Sequence, residues 1–273
     1  MKFAIIAAGT VLAANAAHAQ STPEPAPVEE SSPAPICTDR PTKANAACTV
    51  PEGTFQVESD VANWARTSTG DAQTDVVLYT NPYLKYGLSA RTDVEVNIAP
   101  YVTARTRVGG AHDTVSGVGD LTVRLKQRLT APDSKVQVAV IPFVKAPTAR
   151  LGIGNREWEG GVAAPVVVSL PQGFTLNLGP EVDILADADL SGSHHAQLVG
   201  VANLAKAVGK ATFYAELWTA QNFDPAGTVR QYSADVAVAY LLTAVWQLDA
   251  GGNFGLNRNT PDAQVYLGLS TRF

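Results

Sequence analysis

Ala263-Gln264-Val265-Tyr266-Leu267-Gly268-Leu269-Ser270-Thr271-Arg272-Phe273 is the stretch whose reading decides the fold. Val265, Leu267, Leu269, Thr271 and Phe273 alternate with Gln264, Tyr266, Gly268, Ser270 and Arg272. A period of two marks a strand with one apolar and one polar face. A soluble sandwich can carry such a strand at its edge. A transmembrane barrel has a specific reason to end on an exposed aromatic, because its last strand pairs with its first and sits in lipid. Val265, Leu267, Leu269 and Phe273 then read as the signal recognised by the barrel-assembly machinery. Deleting Phe273, or replacing it with Asp, is expected to lower the amount of assembled barrel far more than deleting residues 21–32. Equal assembly of the Phe273 variants, followed by their heat-dependent gel shift, would contradict that reading.

Upstream, helical periodicity is lost after Thr54 except in Ala-rich pieces such as 201–208. Twelve strand-like segments fit instead: 54–66, 75–86, 93–104, 119–129, 136–146, 159–170, 174–186, 195–206, 211–220, 231–242, 245–256 and 263–273. Each has about the length of a tilted membrane-spanning strand. Short connections (87–92, 130–135, 171–173, 207–210, 243–244) alternate with longer ones (67–74, 105–118, 147–158, 187–194, 221–230, 257–262). Periplasmic turns and extracellular loops alternate in this way, and an even strand number leaves both chain ends in the periplasm. The expected fold is all-β: an antiparallel up-and-down transmembrane β-barrel of about twelve strands, with a backbone radius of roughly 12 Å. Pro82, Pro100, Pro142, Pro165 and Pro180 fall inside strands and are expected at bulges or bends, since each removes a ladder donor.

Charge sorts with parity. On the apolar parity of all twelve segments the only charged residue is Lys206, at a strand end where its stem can reach the interface. A Lys or Arg facing lipid at mid-membrane costs about 2–4 kcal/mol. Aromatics of the same parity lie towards strand ends (Phe55, Tyr86, Phe174, Tyr232, Trp246, Phe254 and Phe273), as interfacial girdles require. The opposite parity carries the charges.

The first nineteen residues have the parts of a cleaved secretory signal: Lys2, an apolar run from Phe3 to Leu12, and Ala17-His18-Ala19 before Gln20. Its removal leaves a net charge of about −6, which speaks against nucleic acid as a partner. The expected destination is the outer membrane of a Gram-negative cell. Residues 20–53 read as a periplasmic linker, Pro-rich to Pro35 and disordered there. Cys37 and Cys48, the two cysteines of the chain, are most simply paired in a disulfide closing a short loop outside the barrel. Metal binding by the pair is the alternative.

Thr38-Asp39-Arg40-Pro41, then Val50-Pro51-Glu52-Gly53 leading into Phe55-Gln56-Val57-Glu58, resembles the start of the meta-pathway phenol-degradation family of outer-membrane β-barrel transporters. Ser116-Gly117-Val118-Gly119-Asp120-Leu121, on through Leu129, is similar to its central motif. Tyr240-Leu241-Leu242-Thr243, Leu248-Asp249, Gly251 to Asn257 and the terminal Arg272-Phe273 are similar to its carboxy-terminal part. The resemblance spans nearly all of the chain after the linker. It implies passive or facilitated passage of small, including aromatic, molecules, and it supplies no catalytic residues.

The candidate site is the expected lumen. Arg124, Lys126 and Arg128 form one row of cations, with Asp93 and Glu95 on the preceding strand and Lys145 on the following one. Glu181, Asp183, Glu216, Asp235 and Asp249 form an acidic wall across the barrel. One reading is a transverse field that orients polar solutes. The other is a set of cross-strand ion pairs that fill the lumen. Asp113 and His194-His195 have the types but not the spacing of a metal site, and Gly117-Val118-Gly119-Asp120 lacks the Lys and helix of a phosphate loop. No metal, cofactor or catalytic set is expected. An outer-membrane enzyme, or a non-conducting binding or structural barrel, remains the alternative to passage.

Overall fold

A computed structural model describes residues 33–189 and 192–273. The proposed signal (1–19) and the first part of the linker (20–32) lie outside the described residues. Twelve strands are present: β1 (Phe55–Thr69), β2 (Ala72–Thr80 and Tyr83–Ser89), β3 (Thr92–Asn97 and Tyr101–Val108) and β4 (Ala111–Gly117 and Leu121–Arg128). Then come β5 (Val136–Ala146), β6 (Glu159–Ala163 and Val166–Ser169), β7 (Phe174–Leu178 and Glu181–Ala186) and β8 (His194–Val208). The set ends with β9 (Ala211–Asn222), β10 (Val229–Leu241), β11 (Trp246–Gly255) and β12 (Ala263–Arg272). Each strand pairs antiparallel with its sequence neighbours, and β12 closes on β1 from Gln56↔Arg272 to Arg66↔Ala263. Phe273 N–H donates to the Phe55 carbonyl at 2.8 Å, and its side chain is 71% exposed, as a lipid-facing aromatic would be. The barrel has no free edge.

Four of the five strand prolines mark the breaks within β2, β3, β6 and β7, at Pro82, Pro100, Pro165 and Pro180. Pro142 stays inside β5. There the ladder to β4 pairs Arg124↔Phe143 and Gln127↔Val140 with nothing between, because proline has no N–H to give.

The two ends of the barrel differ, with one departure from expectation. The segments 67–74 and 105–118, expected as long loops, are strand nearly throughout. β1 and β2 run on to a two-residue turn at Gly70-Asp71, and β3 and β4 to one at Gly109-Gly110. Gly70, Gly109 and Gly110 all have positive φ, the backbone such tight hairpins need.

The interior is polar and the exterior apolar. Phe55, Leu84, Leu125, Val182, Leu217, Val236, Leu248 and Leu267 are exposed, while Gln56, Glu58, Lys85, Asp93, Glu95, Lys126, Glu216 and Asp235 are buried. That inversion suits lipid outside and a polar lumen inside. Lys206, on the apolar parity, reaches the Gln172 carbonyl and lies 4.4 Å from the Phe174 ring centre, at the end of the barrel.

Candidate functional site in the barrel lumen

The lumen is occupied by the chain's own residues 36–52. The segment enters at the short-turn end, where Ile36 N–H donates to the Ala244 carbonyl (2.7 Å) and the Arg272 guanidinium donates to the Ala34 carbonyl (2.6 Å). It leaves with Val50 N–H on Asp93 Oδ2 (2.8 Å) and Gly53 N–H on the Gly87 carbonyl (2.9 Å), then becomes β1. Gly87 is needed there, since a Cβ would stand 2.1 Å from the Pro51 carbonyl oxygen. Cys37 and Cys48 are joined in a disulfide, with Cα atoms 6.5 Å apart. This overturns one expectation. The cysteine loop, assigned to a linker outside the barrel, is inside it, because its charges match those of the wall.

Asp39 faces the basic row. Its carboxylate accepts from Lys85 Nζ (2.5 Å) and Lys126 Nζ (2.6 and 2.7 Å). Burial pushes the Asp39 carboxyl up, but Lys126, Lys85 and Arg124 outweigh it and hold the group well below the usual carboxylate range. Arg40 points the other way, to Asp60 (2.7 Å) and Asp249 (2.7 and 3.1 Å). It lies against β12 at Gly268, where any Cβ would meet its guanidinium. Lys43 reaches Asp235 and Ser233 (2.7 and 2.8 Å), and its backbone N–H and that of Ala44 donate to Glu216 (3.0 and 3.2 Å). Asn45 accepts from Arg124 Nη2 on its side chain and from Asn177 on its carbonyl. Opposite charges at consecutive positions 39 and 40 therefore bridge the two sides of the lumen. Ile36, Ala44, Ala47 and Val50 are buried beneath them.

The expected site residues divide into groups. Asp93 and Glu95 sit beside Lys126 and Arg124 in register, and Glu95 pairs with both cations at 3.2 Å. Arg128 lies apart, donating to the Ala90 carbonyl at the short-turn end. Lys145 pairs instead with Asp120 (3.2 Å) and Glu159 (2.8 Å). Glu216, Asp235 and Asp249 face the loop. Glu181 and Asp183 do not meet it, and Asp183 takes one bond from Gln197 (2.9 Å). The charges are segregated, and ion pairs fill the space, but the pairs run through the loop. Asp39, Arg40, Lys43 and Asn45 were missed as site residues; the adjacent opposite charges Asp39-Arg40 inside the cysteine loop were the available signal.

Two cavities flank the loop. One, of about 240 Å³, lies between it and β6–β9, against Thr175, Asn177, Ala205 and Tyr214. The other, of about 310 Å³, lies towards β1, β11 and β12, against Asp60, Asn63, Asn253 and Gln264. Arg40 and Thr42 line both. At the long-loop end His195 Nδ1 pairs with Asp187 at 2.8 Å. Among the described residues no three metal-ligating side chains converge.

The disulfide gives a prediction. In the chain-entropy account, closing so short a loop is worth roughly 3 kcal/mol of order. Replacing Cys37 and Cys48 with Ser is expected to leave the barrel assembled, since no ladder pair involves residues 37–48, but to expose Lys43 to trypsin. Lost assembly, or unchanged resistance to cleavage, would contradict this.

A closed antiparallel barrel with a polar lumen and an apolar belt defines the chain as a β-barrel of the outer-membrane type. Residues 38–273 match the family described as "Putative MetA-pathway of phenol degradation", and the chain belongs to it. No curated protein sequence matches the chain. The fold is similar to that of an outer membrane channel from Pseudomonas putida F1, with TM-score 0.67 and 18% identity over 86% of this chain and 99% of that one. It is also similar to the β domain of the Bordetella autotransporter BrkA (TM-score 0.55, 15% identity, 81% and 100% covered). The NanC porin is a third (TM-score 0.52, 11% identity, 80% and 98% covered).

Proposed function

We propose that the protein is an outer-membrane conduit for small molecules whose lumen is narrowed by its own N-terminal loop. The observation that carries the reading is the lumen itself: two cavities, separated by a loop whose residues 37–48 are held to the wall by side-chain contacts rather than by ladder pairs. A barrel that served only as a scaffold would gain nothing from such spaces. The family's link to phenol degradation favours a small aromatic compound as cargo. Export through a cleaved signal and insertion by the barrel-assembly machinery belong to the same proposal.

The test is liposome swelling with refolded protein. Passage predicts faster swelling in a phenol-sized solute than in a disaccharide, and none in empty liposomes. The filled lumen favours one rival, a non-conducting binding barrel. No swelling in any solute, with the barrel assembled, would support that rival.

A further inference from the structure

Above the apolar belt, the outer face of β1–β3 turns basic. Val265 and Leu267 on β12 are exposed towards lipid, and their partners on β1 are Trp64 and Ala62, so Trp64 and Arg66 point outward too. Arg66 pairs with Asp75 on β2, Asp75 pairs with Arg105 on β3, and Gln73 pairs with Arg107. All of these side chains therefore stand on the outside, on the hairpins that end at Gly70-Asp71 and Gly109-Gly110. Tyr101 lies on the same face of β3, exposed, with its ring 5.4 Å from that of Tyr79.

Asp75 organises the cluster. Its oxygens accept from Trp64 Nε1 (3.2 Å), Arg66 Nε and Nη2 (2.7 and 3.2 Å) and Arg107 Nη2 (3.0 Å), so the carboxylate is buried beneath its donors. Arg66 also lies over the Trp64 ring, 5.0 Å from its centre. Arg105 is exposed and has no hydrogen bond or ion pair among the described residues. One further acid, Asp262, adjoins Arg66 through its backbone N–H on the Arg66 carbonyl (2.7 Å). Three guanidinium groups thus flank a single covered carboxylate, and each keeps donors to spare.

Aromatic girdles sit at headgroup level. Arg105 is four residues beyond Tyr101, about 13 Å along a strand and roughly 10 Å in height at the usual tilt. That height is where a leaflet carries its charged groups. Guanidinium forks match phosphate oxygens, and clustered cations beside a membrane face recognise anionic headgroups. A dissolved anion would use the arginines alone. A lipid also lays its chains against Trp64, Tyr79 and Tyr101.

We propose that Arg66, Arg105 and Arg107 form a docking surface for the phosphorylated headgroup of a lipid in the outer leaflet. The claim rests on the long-loop end facing outward and stands apart from whether the barrel conducts.

The experiment is native mass spectrometry of the assembled full chain in detergent, titrated with lipid A, with dephosphorylated lipid A and with inorganic phosphate. Saturable binding of lipid A is expected, and weaker binding of the dephosphorylated form. Arg105→Gln should weaken lipid A several-fold, and Arg105→Gln with Arg107→Gln about tenfold or more, the scale of one lost charge-assisted bond. Arg91→Gln, an exposed arginine at the short-turn end, should change nothing. Heat-dependent gel shifts report assembly, and if the double variant does not assemble, Arg105→Gln decides, since no contact of its side chain is lost. Equal affinity in parent and variants, or equal binding of the dephosphorylated lipid, would overturn the proposal. Displacement of lipid A by millimolar phosphate would make this a site for dissolved anions, and a dimer that the Arg105 variant dissolves would make it a contact between copies; either result would overturn it too.

Discussion

Replacing Arg40 with Ala is expected to free the loop from the lumen. Among the described residues Arg40 is the single cation at ion-pair distance from Asp60 and Asp249, which are both buried, and it joins β1 to β11 across β12. Without it, two carboxylates lie enclosed and uncompensated, while the loop loses its hold on that wall. Removing one partner of a buried pair typically costs about 3–5 kcal/mol, far more than an exposed pair. The readout is trypsin cleavage after Lys43, seen on a reducing gel because the disulfide otherwise keeps the fragments joined. The parent should resist and Arg40→Ala should be cut. Equal resistance would mean that Asp39 and Lys43 suffice. Asp39 adds a pH dependence: its carboxyl is held below its ordinary pKa by Lys126 and Lys85. Its contribution to loop retention is therefore complete above about pH 5 and is lost as pH falls through the depressed value. Lowering the pH from 8 to 6 should not release the loop.

Lys85→Met should lower the resistance of the assembled barrel to heat in detergent more than any exposed charge substitution. Lys85 Nζ lies 2.5 Å from Asp39, 2.7 Å from Glu58 and 3.5 Å from Glu95, and its side chain is 3% exposed. Glu58 has no other cation at ion-pair distance among the described residues. The expected loss is about 3–5 kcal/mol. Arg107→Met is the comparison, since Arg107 holds Asp75 from a side chain 45% exposed and should matter by less than about 1 kcal/mol. Equal gel-shift temperatures for the two variants would contradict the buried network.

The strands that cross the apolar belt were legible because lipid on one side and polar lumen on the other force a strict alternation, as along Val94 to Glu95 and Leu125 to Lys126. The alternation fades where both faces meet water. That is why Thr67–Thr69 and Arg105–Arg107, polar on both faces, read as loop although they are strand. Four strand prolines marked breaks for a plain reason: a missing N–H interrupts the ladder wherever it falls. The lumen charges were legible as a set by parity, but their partners were not. Pairing Arg124 and Lys126 with Glu95 follows from neighbouring strands. Pairing Asp249 with Arg40 joins residues 209 positions apart through a segment without periodicity. A Pro-rich entry and a pair of cysteines describe a loop equally well inside a barrel or outside it, and only the complementary charges of Asp39, Arg40 and Lys43 distinguish the two.

Single-channel recording in a planar bilayer tests the central claim most directly, comparing the parent with a variant lacking residues 37–48. A small, fluctuating conductance is expected for the parent and a several-fold larger, steadier one for the deletion, since the removed residues separate the two lumen cavities. An assembled deletion variant that passes no current, or no more than the parent, would contradict the reading of this barrel as a conduit narrowed by its own N-terminal loop.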